Sequence, residues 1–334
     1  MDLLKAMRAF VGVIDAGSFA AASRALDLAP AIVTRLIAQL EQHVGARLIN
    51  RTTRRLALTE IGTVYLERVR QILASIEEAE ALIGSETREP SGMLRIAAPA
   101  TLLSHQLTRL LPEFRARYPK LALSINALDK HVEMPDEGVD VTLLLAAGES
   151  LDGDFLARRL ATAEIVFCAA PAYLDEHGRP EHPAELDEHE LLVPNLPHVP
   201  RQVRFDRIGG TGTVSDAVQA RVRRVRAINT FHHETLYSAA LSGMGIMASP
   251  SFVVEEAVVK GSLERVLGGW ACMSYTLYAA VPSRKFLPSR SRVFIDFLTE
   301  KFGGQPTDPW LALMAAAGAQ RPRGVARRDT ELVR

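Results

Sequence analysis

The sequence predicts an α + α/β protein, in which a helical amino-terminal region is joined by one long helix to a larger α/β region. Apolar residues recur at helical spacing through residues 1–58. A helical pattern without an interior proline then runs from residue 59 to about residue 84. After residue 92, short apolar strands alternate with helices, an order that gives parallel strands joined by right-handed crossovers.

Composition is that of a globular protein with sizeable cores. The chain has 334 residues, of which 48% are hydrophobic and 23% charged, enough for about two or three domains. No apolar run reaches the ~20 residues that span a bilayer, and the first residues form an amphipathic helix pattern rather than a secretory signal. The two cysteines, Cys168 and Cys272, do not make a disulfide framework. We therefore expect a cytoplasmic protein that contacts no membrane.

Charge is concentrated at one end of the chain. The formal net charge is zero, but residues 1–58 hold eight Lys and Arg residues against four Asp and Glu residues. A basic amino-terminal region within a neutral chain predicts contact with the phosphates of nucleic acid.

A helix, a tight turn and a second helix are predicted between residues 18 and 44, after a first helix at 3–16 that covers them. Ser18 is a good N-cap for the earlier helix of the pair. Pro30 suits the first turn of the later helix, where its missing N–H is no loss, and Gly45 ends that helix. This is the helix-turn-helix order, whose second helix fits a DNA major groove.

The side chains of that second helix divide into a buried set and a set that faces DNA. Small and hydrogen-bonding residues lie opposite the apolar stripe, and a polar, arginine-rich hairpin follows at 50–55, of the kind that phosphates or a narrow minor groove attract. A small helical domain with a solvated loop is the alternative, less favoured because turn, polar face and basic hairpin occur together. The predicted DNA-binding residues are Ser18, Pro30, Ala31, Thr34, Arg35, Gln39, Arg51, Thr52, Arg54 and Arg55.

The long helix at 59–84 carries apolar residues spaced by four and three. This spacing favours a partner helix over a globular core, although an ordinary amphipathic helix remains open because fewer than about three heptads are covered. The predicted dimerisation residues are Tyr65, Val69, Ile72, Ile76, Ala79 and Ile83.

A polar hinge at residues 85–92 separates this helix from the α/β region. Helices are predicted at 102–118, 235–242 and 291–301, and a turn at 171–174. Strands are predicted at 93–98, 121–127, 139–146, 165–170, 225–229, 245–249 and 274–281.

The amino-terminal sequence SFAAASRALDLAPAIVTRLIAQLEQHVGARLINRTTRRLALTEIG resembles the winged helix-turn-helix of LysR-type transcriptional regulators, without a gap from Phe10 to Gly62. Ala29 and Ala31 stand where many members carry serine, so a cap and a polar DNA contact are absent. In this family the long helix pairs two subunits and sets the distance between their DNA-binding domains.

The resemblance continues to about Phe302 through LRIAAPATLLSHQLTRLLPEFRARYP and AALSGMGIMASPSFVVEEAVVKGSLERVL. It implies a two-lobed α/β effector domain like the periplasmic binding proteins, with a small-molecule cleft between the lobes. Implied domain bounds are 1–58 for the head, 59–91 for the linker helix and hinge, and 92–302 for the effector domain. Lobe I is placed at about 92–160 and 266–302 and lobe II at about 161–265. Residues 303–334 are expected to be a disordered tail, with a brief helix at 310–317 as the alternative.

The family's cleft positions fall on seven residues of this chain. Many relatives have arginine where Leu144 stands, which favours a neutral or weakly polar ligand. Each of the seven residues could instead simply fill the lobe interface. They are Ala100, Thr101, Leu144, Asn229, Thr230, Met247 and Ala248.

The remaining histidine, cysteine and acidic residues do not indicate a metal site or a catalytic site. His232, His233 and Glu234 are adjacent and point apart, so a helix-terminus role is favoured over a metal site. Cys168 and Cys272 lie in apolar surroundings typical of inert thiols. No nucleophile elbow, phosphate-binding glycine loop or carboxylate pair is present, so we expect neither an enzyme nor a cofactor.

The prediction is a LysR-type regulator that binds double-stranded promoter DNA as a homodimer or homotetramer and responds to a small-molecule effector. A change in its assembly on ligand binding would alter the access of RNA polymerase to the promoter. A solute-binding protein and an enzyme, each built on the two α/β lobes, are the alternatives.

Overall fold

Three helices and a two-stranded hairpin form the amino-terminal head. Helices α1 (Leu3–Asp15), α2 (Phe19–Ala25) and α3 (Pro30–Val44) lie within a residue or two of their predicted bounds. The structure is a computed structural model that describes residues 2–51, 56–83, 89–128, 138–147, 151, 155–195, 202–208, 217–221, 228–282 and 287–320. For residues 51, 74, 75, 77–83, 221 and 318–320 it describes the backbone alone.

Local signals define the ends of these helices. Ser18 accepts a hydrogen bond from the amide of Ala21 at 3.1 Å, the expected N-cap of α2. Ala29 precedes α3 with no side-chain cap, as its methyl group requires. Gly45 ends α3 with φ of 73°, a left-handed conformation that glycine adopts without strain.

The hairpin and the long helix follow directly. Strands β1 (Ile49–Arg51) and β2 (Leu56–Leu58) pair antiparallel, with Ile49 opposite Leu58. Helix α4 (Glu60–Ile83) then runs for 24 residues, as the absence of an interior proline predicted. The start of α4 packs on the head, because Leu66 and Val69 belong to the same buried cluster as α1 and α3.

A mixed sheet forms the centre of the α/β region, in the order β4-β3-β5-β13-β6-β10-β7. Its first part is parallel, since β3 pairs with both β4 and β5 in that sense. Strand β13 runs antiparallel to both β5 and β6. The bounds are β3 Gly92–Pro99, β4 Leu121–Leu128, β5 Val141–Ala147, β6 Phe155–Ala169, β7 Leu191–Leu192, β10 Ile246–Pro250 and β13 Ser274–Pro282.

Strand β6 is longer than predicted and joins the two lobes. It pairs with β13 over residues 155–164 and with β10 over 165–168. The change of partner therefore falls a few residues after Leu160, where the sequence placed the crossing. Val266 still pairs with Phe167, and β13 begins only at Ser274, so the return also comes later than predicted.

The helix predicted at 102–118 has three segments. A short α5 (Ala100–Leu102) leads into a π-helical turn at Leu103–Leu107, and α6 (Thr108–Arg117) completes the helix. The π turn carries His105 and Gln106, and the Gln106 amide donates to the carbonyl of Phe252 at 2.7 Å. Such turns widen a helix locally and are frequent at functional sites.

The second lobe contains short elements around β10. Residues 171–174 begin a helix rather than forming the predicted turn, because Pro171 occupies its first position and suits a helix start. Of the strand predicted at 225–229, residues 222–227 lie outside the described part, and 228–229 are not in a strand. Helices are α7 Pro171–His177, α8 His233–Leu241 and α9 Ser251–Lys260, and strands are β8 Gln202–Arg207, β9 Ala217–Arg221, β11 Glu264–Val266 and β12 Trp270–Ala271.

The carboxyl-terminal prediction was wrong in part. Helix α10 (Ser289–Phe302) was expected, but α11 (Pro309–Gln320) lies where a disordered tail was predicted. Trp310 is 3% exposed and packs between Phe252 and Phe302. The tail therefore completes the main core as far as α11, and residues 321–334 lie outside the described part.

Candidate nucleic-acid interface and ligand cleft

Helix α3 presents a polar face away from the head core. Its buried residues are Val33, Leu36, Ile37 and Leu40. Ala31 and Arg35 on the opposite side are exposed, and Thr34 and Gln39 are half-buried. The Thr34 hydroxyl donates to the carbonyl of Pro30 at 3.0 Å, which leaves its lone pairs free to accept from a base edge.

The end of α3 is tied to the hairpin by a carboxylate that the sequence analysis missed. Glu41 accepts hydrogen bonds from the amides of Leu48 and Ile49, at 2.9 and 3.1 Å. Thr59 donates to the carbonyl of Arg47 at 2.7 Å and caps α4 by accepting from the amide of Gly62. These bonds fix the base of the hairpin relative to α3.

The predicted residues of the hairpin tip lie largely outside the described part of the chain. Arg51 has its backbone in β1, but its side chain is outside the described part, as are Thr52, Arg54 and Arg55 altogether. Ser18 is half-buried at the start of α2, and Pro30 is exposed at the start of α3. Their predicted DNA contacts stay predictions.

Helix α4 divides its apolar residues between its own head and solvent. The dimerisation prediction was wrong for Val69, which is 0% exposed in the head core. Tyr65 is half-buried there, 6.0 Å from the ring of Phe10, and burial raises its pKa. The four-three spacing cannot distinguish a partner helix from the helix's own domain, so the predicted set includes residues that pack in the head.

Another stripe of α4 is open. Ile61 is 56%, Val64 60% and Ile72 44% exposed. Ile76 is half-buried, and the side chains of Ala79 and Ile83 are outside the described part. Of the predicted set, Ile72 is the residue with a large exposed side chain.

Of the seven predicted cleft residues, two side chains belong to the core. Leu144 is fully buried against Ala146, Tyr278 and Ala280, and Met247 is fully buried in the main core. Neither side chain reaches solvent, so both lie in the core, and their predicted contact with an effector stays a prediction. Ala100 and Asn229 are exposed, Thr101 is buried, and Thr230 and Ala248 are half-buried.

A side chain that the sequence analysis missed, His105, joins the two lobes. His105 on the π turn lies 3.0 Å from Glu234 at the start of α8 and makes an edge contact with Tyr237. Within lobe II, His233 lies 3.0 Å from the hydroxyl of Ser249. The sequence feature that could have indicated the contact between the lobes was the polar pair His105-Gln106 within an otherwise apolar helical stretch.

Histidine and cysteine residues form no metal site in the described ranges, where no three His, Cys, Asp or Glu residues are grouped to hold an ion. His232 takes the N-cap position of α8, as a helix-terminus role requires. Burial raises the pKa of the Cys168 thiol to about 12 and that of Cys272 to about 11. Thiolates are therefore scarce near neutral pH at both positions.

Family models match both parts of this architecture. Residues 4–63 match the bacterial regulatory helix-turn-helix protein of the lysR family, and residues 87–303 match the LysR substrate binding domain. The chain belongs to the LysR family. It is a transcriptional regulator with a DNA-binding head and an effector-binding domain, in a family of regulators rather than of enzymes.

Similar proteins support the same conclusion for this LysR-type regulator. An HTH-type transcriptional regulator of Xanthomonas campestris is 31% identical over 318 residues, which are 95% of this chain and 90% of the relative. CrgA of Neisseria meningitidis, a LysR-type transcriptional regulator, has a solved structure with 30% identity and a TM-score of 0.56, covering 90% of this chain and 98% of that one. AphB, a virulence activator of Vibrio cholerae, gives 26% identity and a TM-score of 0.53, covering 90% and 99%.

The predicted family, fold class and regulatory function are thus confirmed. Within the described residues, no helix is long and apolar enough to cross a membrane.

Proposed function

We propose that α3 reads operator DNA through Ala31, Thr34, Arg35 and Gln39. The exposed polar face of α3, directly opposite its buried stripe, carries this proposal. Pro30 sets the entry of the helix into the major groove, and Ser18 holds the amino end of α2 near the backbone. The hairpin residues Arg51, Thr52, Arg54 and Arg55 grip phosphate or the minor groove.

Binding of DNA from upstream of the regulator's own gene, measured at several salt concentrations, tests this assignment. We expect Arg35→Ala to weaken specific binding by about tenfold or more, since a bidentate base contact is worth ~1–3 kcal/mol. Arg54→Ala should weaken binding to all DNA sequences alike, and it should lower by about one the slope of log affinity against log salt concentration. Arg115 is an exposed arginine on α6 in the effector domain. As the control, Arg115→Ala should leave both the affinity for DNA and its salt dependence unchanged. Equal binding by Arg35→Ala and the parent would contradict the assignment.

We also propose that the exposed stripe of α4 pairs two subunits, so that the regulator acts as a homodimer or as a homotetramer of two such dimers. Large apolar side chains at Ile61, Val64 and Ile72 are what a partner helix would cover. Ile76, Ala79 and Ile83 continue the same helix. Pairing would place two heads at successive turns of a pseudo-palindromic site.

Sedimentation equilibrium separates this proposal from the alternatives. We expect Ile72→Asp to shift the chain toward monomer, because a buried unpaired carboxylate opposes association. Thr63→Asp introduces the same charge on another exposed face of α4 and should leave the assembly intact. If Ile72→Asp leaves the assembly unchanged, the interface between subunits lies on another surface.

The effector cleft is proposed to lie between the lobes, beside Ala100, Thr101, Asn229, Thr230 and Ala248. The His105–Glu234 contact supports this position, because it shows that these two lobe surfaces face each other. The domain bounds follow as head 1–58, linker 59–91 and effector domain from 92, extended to include α11. Since promoter DNA and RNA polymerase are the targets of such a switch, we place its action in the cytoplasm.

A further inference from the structure

A cavity of about 420 Å³ lies between the head and the first lobe, and none of the predicted effector-cleft residues lines it. Its walls come from α1, α4, β3, β6, β13 and α10. A second, more polar cavity of about 310 Å³ shares Asp15, Arg70 and Arg95 with it. The first volume falls within the ~300–1,000 Å³ of small-molecule sites.

One carboxylate shared by two arginines stands between these cavities. Oδ1 of Asp15, at the end of α1, lies 2.6 Å from Arg70 on α4. Oδ2 of the same residue lies 2.6 Å from Arg95 on β3. Two guanidinium groups on one carboxylate leave a positive charge in excess, with the three side chains only 16–25% exposed.

Arg70 has an unused donor at this point. Its Nε atom is buried and has no hydrogen-bond partner among the residues that the structure describes. A buried donor without a partner is unfavourable because it has lost its hydrogen bonds to water, so an acceptor that reached it would be stabilised there.

The remaining charges of the cavity are balanced more closely. Arg290 lies 3.0 Å from Asp140, and Arg158 lies 2.7 Å from Asp296. Arg292 adds a further positive charge at the wall. Apolar side chains cover much of the rest of the surface, among them Val11, Leu73, Met93, Val281, Leu287 and Ile295.

We propose that this cavity is a second ligand site, which takes a small organic anion with an apolar body. Its anionic group would bind Arg70 and Arg95, and its apolar part would lie against Leu73 and Met93. Arginine pairs bind carboxylate and phosphate oxygens with the strongest hydrogen bonds that proteins offer.

Binding of a ligand at this site would change how the head is held against the first lobe. Asp15 belongs to the head and Arg95 to the first lobe, so their ion pair joins the two units directly. A ligand anion competes with Asp15 for both arginines and therefore favours arrangements in which this link is released. Such differential affinity is the condition for a ligand to shift an equilibrium between arrangements.

Isothermal titration of the full chain with benzoate and with phenyl phosphate tests the proposal, with benzyl alcohol as the neutral analogue. We expect at least one of the two anions to bind saturably and the alcohol to bind about tenfold more weakly or not at all. Arg70→Gln and Arg95→Gln should each weaken anion binding by about tenfold. Leu73→Trp fills the cavity with both arginines in place and should abolish binding.

One control variant shows where the anion binds. Arg109→Gln removes an arginine that pairs with Glu255 and Glu256 and does not line the cavity, so it should keep parental affinity. The absence of binding by either anion, equal affinity for the alcohol, or equal affinity in the Arg70, Arg95 and Leu73 variants would overturn the proposal. No DNA is present in these titrations, so their outcome is independent of the assigned DNA contacts.

Discussion

The imidazole of His105 contacts the carboxylate of Glu234 across the two lobes, with Nε2 3.0 Å from one oxygen and 3.1 Å from the other. The histidine side chain is 12% exposed and the glutamate 33%. Arg109, one turn further along the same helix, pairs with Glu255 on α9. The helix that follows β3 is therefore held to lobe II by side chains rather than by strand pairing.

A double-mutant cycle between these positions measures that link. His105→Gln and Glu234→Gln should each lower the free energy of unfolding, and their coupling energy should be about 0.5–1.5 kcal/mol, as for a partly buried hydrogen bond. Urea denaturation of the four proteins gives the value. The exposed pair Lys120 and Glu89, 63% and 40% exposed, serves as the reference and should couple by less than about 0.5 kcal/mol. Equal coupling in the two pairs would show that the lobes are held by other contacts.

Gly62 permits the close approach of α4 to the hairpin. A Cβ atom at this position would lie 2.0 Å from the carbonyl oxygen of Leu48, and that oxygen also accepts from the amide of Thr59. Gly62→Ala should therefore destabilise the head by about 1–3 kcal/mol through backbone displacement. Hydrogen exchange of head amides reports the loss. Gly138→Ala places its Cβ in open space, so an equal effect there would refute the steric explanation.

The head could be predicted closely because its helix ends depend on local chemistry. Ser18, Pro30 and Gly45 each act within one turn of their own position, as cap, first residue and left-handed terminator. The position of the hairpin could not be predicted, since Glu41 reaches amides seven and eight residues further along the chain. A single carboxylate in an amphipathic helix carries no sequence signal for that role.

The predicted site residues that lie in the core share a physical cause. Val69 has the spacing of a dimer seam and fills its own core. Leu144 and Met247 lie on largely buried strands, where the apolar pattern does not separate cleft from core. In the tail, Asp308 before Pro309 was an available helix-start signal, and its carboxylate accepts from the amides of Leu311 and Glu164.

Trp310 should be essential to the stability of the effector domain. Its ring lies 5.6 Å from that of Phe252 and 5.4 Å from that of Phe302, so Trp310→Ala leaves a cavity and should cost about 3–5 kcal/mol. Leu313 on the same helix is 54% exposed, and Leu313→Ala should change stability by less than about 0.5 kcal/mol. Thermal unfolding compares the two. Similar melting temperatures for both variants would mean that α11 is not part of the core.

His189 should make lobe II less stable in mild acid. Burial, followed by the nearby His177, lowers its pKa below the usual value of 6.5. The hydroxyl of Tyr173 lies 3.3 Å from Nδ1 and also accepts from the amide of Glu190. Its proton can therefore be donated to Nδ1 only while the imidazole is neutral.

The sign of the pH effect follows from proton linkage. Between the lowered folded pKa and the unfolded value, the unfolded chain binds more protons, so stability is complete above about pH 6.5 and falls as pH decreases through that window. His189→Gln should reduce the difference in free energy of unfolding between about pH 7.5 and about pH 5.5, as measured by urea denaturation. His43→Gln, an exposed residue at the end of α3, should keep the parental difference. Because Tyr173 can still donate to the glutamine carbonyl, an undiminished pH effect in His189→Gln would assign the proton uptake to another group.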